Sequence, residues 1–396
     1  MTRYWVPLLA LAGFASMASM RLTDAMLPAL STAFDRPVAE VAQNITAFAI
    51  AYGVMQLVYG PLGDRYGALR VIGLTTLACA IGALGSALAG SLPALLIFRT
   101  LNGATAAAII PLSMAWVGDN VPYERRQVTL VHMLSGTVLG LVAGQSLGGW
   151  LAETIGWRSA FLLLTGLFLL VGGGMLVALR RRPAVKTAHQ GGLERVSFIA
   201  RLSGILAISR ARCILVLVFL EGTAAFGSLA FVASHLHARL GVTLTQAGLM
   251  VALFGAGGLL FAMLARRLVS GLGEVGLAIL GGSLMGAGFT GLALAPLPLP
   301  AAMAAFSAGL GFYMLHSTLQ THATQMAPSA RGTAMAVFAG CLFLGQSLGV
   351  GLGGVVLRLA GAEVLLAATG LWLFVLGLAF ALKLRRWQTE TAPSAA

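Results

Sequence analysis

The sequence predicts an all-α membrane protein of twelve spanning helices arranged as two pseudo-symmetric six-helix bundles. Three observations carry that prediction. The first is composition: of 396 residues, 58% are hydrophobic and only 9% charged, with a mean hydropathy of +0.91. A water-soluble domain carries roughly 25% charged residues, so there is too little charge here to coat a globule of this size. The second is that apolar runs of spanning length, about 20 residues each, recur twelve times. The third is an internal repeat that divides those runs six and six.

The runs follow in order, each bounded by Gly, Pro or charge. Span one is read at 6–28, after Arg3 and up to Pro28. Its opening, MTRYWVPLLALAGFASMASM, has the basic start and apolar stretch of a secretory signal. It nevertheless runs on through Arg21 and Asp24, and its removal would leave an odd number of spans. Span two covers 41–62 and reaches Gly60-Pro61; span three, 69–90, stops at Gly90; span four, 93–116, opens on Pro93. Span five, 127–150, follows Pro122 and Arg125-Arg126, and span six, 159–179, follows Arg158 and ends on Arg180. Spans seven (213–236) and eight (245–266) come next, the latter ending at Arg266-Arg267. Spans nine (274–295), ten (301–324), eleven (332–357) and twelve (363–384) complete the set, the last ending near Arg385-Arg386.

This organisation predicts a first bundle over 1–179, a linker over 180–212, and a second bundle with a short tail over 213–396. The linker is the only sizeable polar interruption. Its second half is basic and partly amphipathic, which fits a solvated connector that also fixes topology, with a helix lying on the inner leaflet as the alternative. Of the 25 Lys and Arg, nineteen fall on the side of the two ends, four (Arg36, Arg158, Arg239, Arg358) on the other, and two within the membrane. Cytoplasmic loops collect positive charge, so both termini are expected in the cytoplasm and the setting is expected to be a bacterial inner membrane. The same asymmetry accounts for the net charge of +13 without a nucleic acid partner. Trp5, Trp157 and Trp387 fall at span ends, where interfacial anchors are expected.

Several function classes are excluded by what the chain lacks. The three cysteines, Cys79, Cys213 and Cys341, all sit in apolar runs, so neither a disulfide framework nor a CxxC metal site is available. No HExxH, GxSxG or Walker A pattern occurs, which argues against an enzyme, a cofactor or direct drive by ATP. A receptor would carry a sensory domain, and the longest loop holds about 33 residues.

The repeat is specific. Pro122, Arg125, Gly140, Gly144 and Gly148-Gly149 are matched about 205 residues later by Pro328, Arg331, Gly345, Gly349 and Gly353-Gly354. Glycines four apart let helix backbones approach closely. Equal ladders in spans five and eleven indicate a duplicated six-helix unit, one of the repeat plans of transporters.

Between spans two and three the chain reads Gly60-Pro61-Leu62-Gly63-Asp64-Arg65-Tyr66-Gly67. This resembles the signature loop of the major facilitator superfamily, G-x-L-a-D-r-x-G, although Ala68 and Leu69 stand where two basic residues usually follow. The resemblance implies that Gly60, Asp64, Arg65 and Gly67 form a conformational latch between the halves on the inner side. Leu96 to Gly103 is similar to the l-x-x-x-R-x-x-q-G pattern of drug/proton antiporters, with Asn102 for Gln, and implies a place for Arg99 in a proton relay. Asp24, four residues before Pro28, resembles the acidic residue and proline of span one in many exporters. Span five departs from the antiporter pattern, with Gln145 where its Gly-Pro pair has proline.

Four ionisable side chains lie clearly within the hydrocarbon: Arg21, Asp24, Arg99 and Glu221. Such groups are costly there and mark function by default. Counting 1.5 Å per residue puts Arg21, Asp24 and Arg99 at about 6 to 10 Å from the same face. They are therefore expected to form one cluster between spans one and four, with a salt bridge that merely fixes packing as the bland alternative. Glu221 stands alone in span seven. A lone buried carboxylate has its charged form disfavoured, which suits a group that takes up and releases a proton; neutralisation by a neighbouring helix is the alternative. Tyr313, His316 and Gln320 recur at helical spacing on span ten and are expected to line a cavity, as are Tyr52, Gln56 and Asn102, with His316 near the depth of Glu221. Simple helix–helix bonding is the competing reading.

The expected function is a proton-coupled secondary active transporter that exports small amphipathic compounds by alternating access, acting as a monomer on a small-molecule substrate and protons in the bilayer. The alternative keeps the fold and makes it an importer or exchanger of a small organic anion held by Arg21 and Arg99.

Overall fold

The computed structural model describes residues 2–181, 198–327 and 331–391. Among them every regular element is a helix. Span one is two helices, α1 (Thr2–Arg21) and α2 (Leu27–Phe34), separated by a turn. Pro28 sits in the first turn of α2, where its missing N–H costs nothing. The reading of a continuous 6–28 helix is thereby corrected: the helix breaks between Arg21 and Leu27. Span two is α3 (Val38–Val41) with α4 (Gln43–Tyr66), and span three is α5 (Ala68–Leu88). Gly67, at φ 89, ends α4 with its N–H on the Gly63 carbonyl. That conformation is open to glycine and strained for other residues. Span four is α6 (Leu92–Ala106) with α7 (Ile109–Asn120), capped by the Ser91 hydroxyl.

Spans five and six are α8 (Tyr123–Thr154) and α9 (Trp157–Arg181). The linker segment 182–197 lies outside the described residues; its later part forms α10 (Phe198–Ala207). Span seven is α11 (Ser209–Leu240) and span ten is α13 (Pro298–Gln325). The remaining four spans come as two long helices, α12 (Leu244–Leu294) and α14 (Arg331–Thr391). Among the described residues eight helical stretches are long and apolar enough to cross a membrane, and α12 at 51 residues is long enough to do so twice. Gly273 (φ 62) breaks α12 into spans eight and nine, and Gly361 (φ 86) breaks α14 into spans eleven and twelve. With span one and α8, the crossings number twelve.

Two buried cores result. One is built mainly from the first six spans and takes in Phe231, Val350 and Leu365 of the second bundle; the other is built mainly from the last six and takes in Ala25 of span one. The glycine ladders show how the bundles copy each other. A Cβ on Gly140 or Gly144 would collide with the carbonyl of Phe14 or Ala18 in span one, and one on Gly345 or Gly349 with that of Phe219 or Thr223 in span seven. Both partners are shifted by 205 residues, so span five packs on span one as eleven packs on seven. Trp5 and Trp157 are buried in the first core rather than set at a lipid boundary. Trp157 is fixed there between Phe34 and Phe161.

The bundles meet along spans five and eight and along spans two and eleven. On the side away from the termini, the Glu153 carboxylate accepts from the Thr245 backbone N–H (3.0 Å) and from its hydroxyl. Gly149 abuts the Leu244 carbonyl, and Gly354 abuts Ala39. On the terminus side, Asp64 and Arg65 are exposed, Gly60 and Gly67 face open space, and the Arg65 guanidinium lies 5.2 Å over Tyr66. The far side is closed while the signature turn stands in the open.

Candidate transport site

The break in span one places Asp24 in a turn, with its N–H on the Arg21 carbonyl (3.3 Å) and the Met26 N–H on that of Thr23 (3.1 Å). Irregular backbone at membrane depth survives only where protein encloses it, and Arg21 and Asp24 are 1% and 0% exposed. Arg21 Nη1 lies 3.3 Å from Asp24 Oδ2. Gln145 Nε2, from span five, donates to the same oxygen at 3.0 Å. The Arg21 guanidinium also lies 4.2 Å over the ring of Phe226 in span seven, a cation–π contact across the two bundles. Asp24 Oδ1 and Arg21 Nε have no partner. A buried pair stranded by loss of one member is costly, so these two charges hold each other in place.

Arg99 is adjacent but held differently. Its Nη1 donates to the Ser19 carbonyl at 2.9 Å, and its guanidinium lies 4.4 Å over Phe48. The Ser19 hydroxyl donates to Asn102 Oδ1 (2.7 Å), and Asn102 Nδ2 donates to the Cys79 carbonyl (3.0 Å). The expected three-residue cluster is therefore two neighbouring groups, an ion pair on span one and an arginine bound to span one through Ser19. Arg99 Nε and Nη2 are left without partners. Asn102 is absorbed in bonds among spans one, three and four and does not line a cavity.

In the second bundle Glu221 is not alone. His316 Nδ1 lies 2.8 Å from Glu221 Oε2, so one hydrogen bond joins the two side chains. The imidazole stacks on Phe312 at 5.0 Å and 13° and leans on Phe338 at 5.4 Å. Glu221 is fully buried, His316 partly open, and Glu221 Oε1 lacks a partner. The isolated carboxylate read from span seven is thus corrected to a carboxylate–imidazole pair between spans seven and ten. Depth arithmetic had brought His316 to the right level; the pairing depended on how the two helices are turned.

The other expected residues separate into groups. Tyr52 is buried, stacked on Phe48 at 5.8 Å and edge-on to Phe343 of span eleven at 4.5 Å, so it closes the seam between bundles. Gln56 is buried one turn on, with its Oε1 unpartnered. Tyr313 packs on Phe312 beside Gly258, and Gln320 is exposed. Gln145 and Phe226 were not among the expected residues. Gln145 carries a signal, being the polar residue at the antiporter motif's proline position; Phe226 carries one only through its 205-residue offset from Arg21.

Twelve crossings in two matched bundles, with a buried ion pair on span one whose arginine touches Phe226 of the other bundle, define a membrane carrier of the paired six-helix type. The chain belongs to the Major Facilitator Superfamily, whose profile matches residues 9–350 and 214–396. It is 25% identical over 340 residues to the uncharacterized MFS-type transporter YceJ of Bacillus subtilis, covering 84% of each chain. It is 28% identical over 155 residues to the multidrug export protein EmrB of Haemophilus influenzae, covering 39% of this chain and 30% of that protein. The chain thus spans under a third of that exporter's length. Among solved structures, a bacterial homolog of the human lysosomal transporter Spinster, inward-facing and unoccupied, superposes with a TM-score of 0.78 at 19% identity, over 100% and 99% of the two chains. The D-xylose-proton symporter superposes with a TM-score of 0.73 at 16% identity over 95% of each.

Proposed function

We propose that this transporter is a proton-coupled exporter of small amphipathic compounds, monomeric, in a bacterial inner membrane with both termini in the cytoplasm. The two bundles would be 1–179 and 213–396, rocking about the seams that join them. The observation that carries this reading is the buried Glu221–His316 pair: a carboxylate and an imidazole joined by one hydrogen bond between spans seven and ten, the carboxylate fully buried and the imidazole partly open. A carboxylate held this way can give up its proton when a cationic group or water arrives. The Arg21–Asp24 pair of span one would be the second exchange point. The similarity to the multidrug export protein EmrB of H. influenzae supports the choice of substrate class. In this reading Gly60, Asp64, Arg65 and Gly67 form the inner latch, here undone.

The test is efflux of lipophilic cations, zwitterions and organic anions from energised cells, comparing wild type with Glu221→Gln. Uncoupler-sensitive cation efflux that the substitution abolishes supports export coupled at span seven. Undiminished efflux makes Glu221 structural. The unpartnered Nε and Nη2 of Arg99 favour a second reading, exchange of an organic anion. There, movement of anions alone is expected, with loss of binding in Arg21→Ala and little effect of Glu221→Gln.

A further inference from the structure

Gln145, Gly149 and Glu153 recur every four residues and so share one stripe of α8. Each meets span eight in the other bundle. The Gln145 carbonyl abuts Gly248, Gly149 abuts the Leu244 carbonyl, and Glu153 binds Thr245. Val142, three residues earlier, extends the stripe against Gly255. This is the seam that closes the far side. Gln145 is the one member of the stripe whose side chain turns the other way, to Asp24. Ala25, the next residue to Asp24, touches the same Gly248. The break in span one, the seam of span five and the start of span eight therefore converge on one glycine, with Gln145 joining the buried carboxylate to it.

We propose that Gln145 is a positioning residue that ties the ionised Asp24 carboxylate to this seam and keeps the unloaded carrier shut on the far side until a proton or a cationic substrate takes the carboxylate. An amide N–H bound to a carboxylate is roughly twice as strong as the same bond to a neutral partner. Loading Asp24 removes that advantage and frees the seam to part. An empty carrier held shut cannot cross without cargo, which is the condition for tight coupling. The groups facing Asp24 are Arg21 from its own turn, Arg99 from α6, Gln145 from α8, the Phe226 ring from α11, and Tyr313 of α13 within electrostatic range of Arg21.

The inference rests on the alternating-access reading above but is tested apart from any transported compound. Spin labels at Ile155 and Leu299, both exposed on the far side of opposite bundles, report the gap in lipid nanodiscs by electron–electron distance measurement. Glu153 is replaced by Gln so that the seam's own carboxylate does not titrate. At neutral pH the closed distance is expected to dominate, and acidification is expected to build a longer one. Gln145→Met removes the bond outright and should lower the closed-to-open ratio at least about fivefold at neutral pH, the difference between a charged and a neutral hydrogen bond, and abolish the response to acid. Asp24→Asn should do the same, and the double variant should add nothing further. A wild-type distance that ignores pH overturns the proposal, even if a variant fails to fold. So does a Gln145→Met protein that keeps the wild-type response, or shifts that add. Failure of drug efflux with these distance results intact would overturn only the export reading.

Discussion

Arg21 and Phe226 stand at matching positions, 205 residues apart in spans one and seven, and they touch each other. Around them the packing is copied: the carbonyls of Phe14 and Phe219 meet Gly140 and Gly345 in the same way. The chemistry is not copied. Where the first bundle has Gln145 bound to Asp24, the second has Val350 at the equal offset, and its own charge sits at Glu221, where the first bundle has Ser16. The backbone contacts of a duplicated unit are constrained by close packing at every glycine, so they stay alike. Polar groups in the facing surfaces are free to diverge, and divergence gives each bundle a different ionisable pair.

The largest effect that would sharpen this comparison is at the ion pair. Arg21→Ala strands Asp24 and should destabilise the protein by about 3 to 5 kcal/mol, read as a large drop in the thermal unfolding midpoint in detergent. Arg21→Met with Asp24→Leu should recover most of that stability without recovering transport. Phe226→Ala, at the mirror position, removes a ring and strands no charge, so its cost should be smaller than that of Arg21→Ala; an equal or larger loss would break the assignment of the charge to the first bundle.

Next come the ladders. Gly140→Val and Gly345→Val each force a side chain into a backbone carbonyl, and overpacking of this kind costs about 1 to 3 kcal/mol or more. The two should be alike, because the contacts are alike; a large difference in unfolding midpoint between them would break the symmetry of the scaffold. Glu221→Gln keeps a hydrogen-bonding partner for His316, so its stability should lie within about 1 kcal/mol of wild type while uncoupler-sensitive transport is lost.

The smallest effect is at the exposed far-side contact. Hydrogen bonds from Thr245 hold the Glu153 carboxyl below the usual carboxylate range. Its contribution to the closed seam is therefore fully present above that usual range and is lost as pH falls through the lowered value. The closed fraction, followed by the Ile155–Leu299 distance, should show in that window a modest acid loss additional to the Asp24 response, which Glu153→Gln removes and Thr245→Val shrinks.

Much of this was legible in the sequence, and for physical reasons. Composition fixes a membrane protein, and the glycine ladders follow from backbone contact, which depends on sequence spacing alone. Pro28 bounds span one in the sequence, but the turn around Asp24 that precedes it carries no such signal. The depth of His316 was reached by counting residues; its bond to Glu221 was not, because rotation of one helix against another is set by packing throughout the bundle. Gln145 could be seen as a departure from a motif, but its partner could not, since α1 and α8 are brought together by the ladder and the break together. Asn102 shows the reverse error: a polar residue in a motif position that is used up in bonds to Ser19 and Cys79.

Gly53 and Gly340 face each other across the seam of spans two and eleven, each lying against the other's carbonyl oxygen. With no side chain on either glycine the two backbones meet directly, a narrow fulcrum bordered by the side chains of Leu344 and Phe343. From Gly53 to the start of α4 is ten residues, a lever arm of about 15 Å. A tilt of a few degrees at that pivot becomes an opening of about an ångström at the rim.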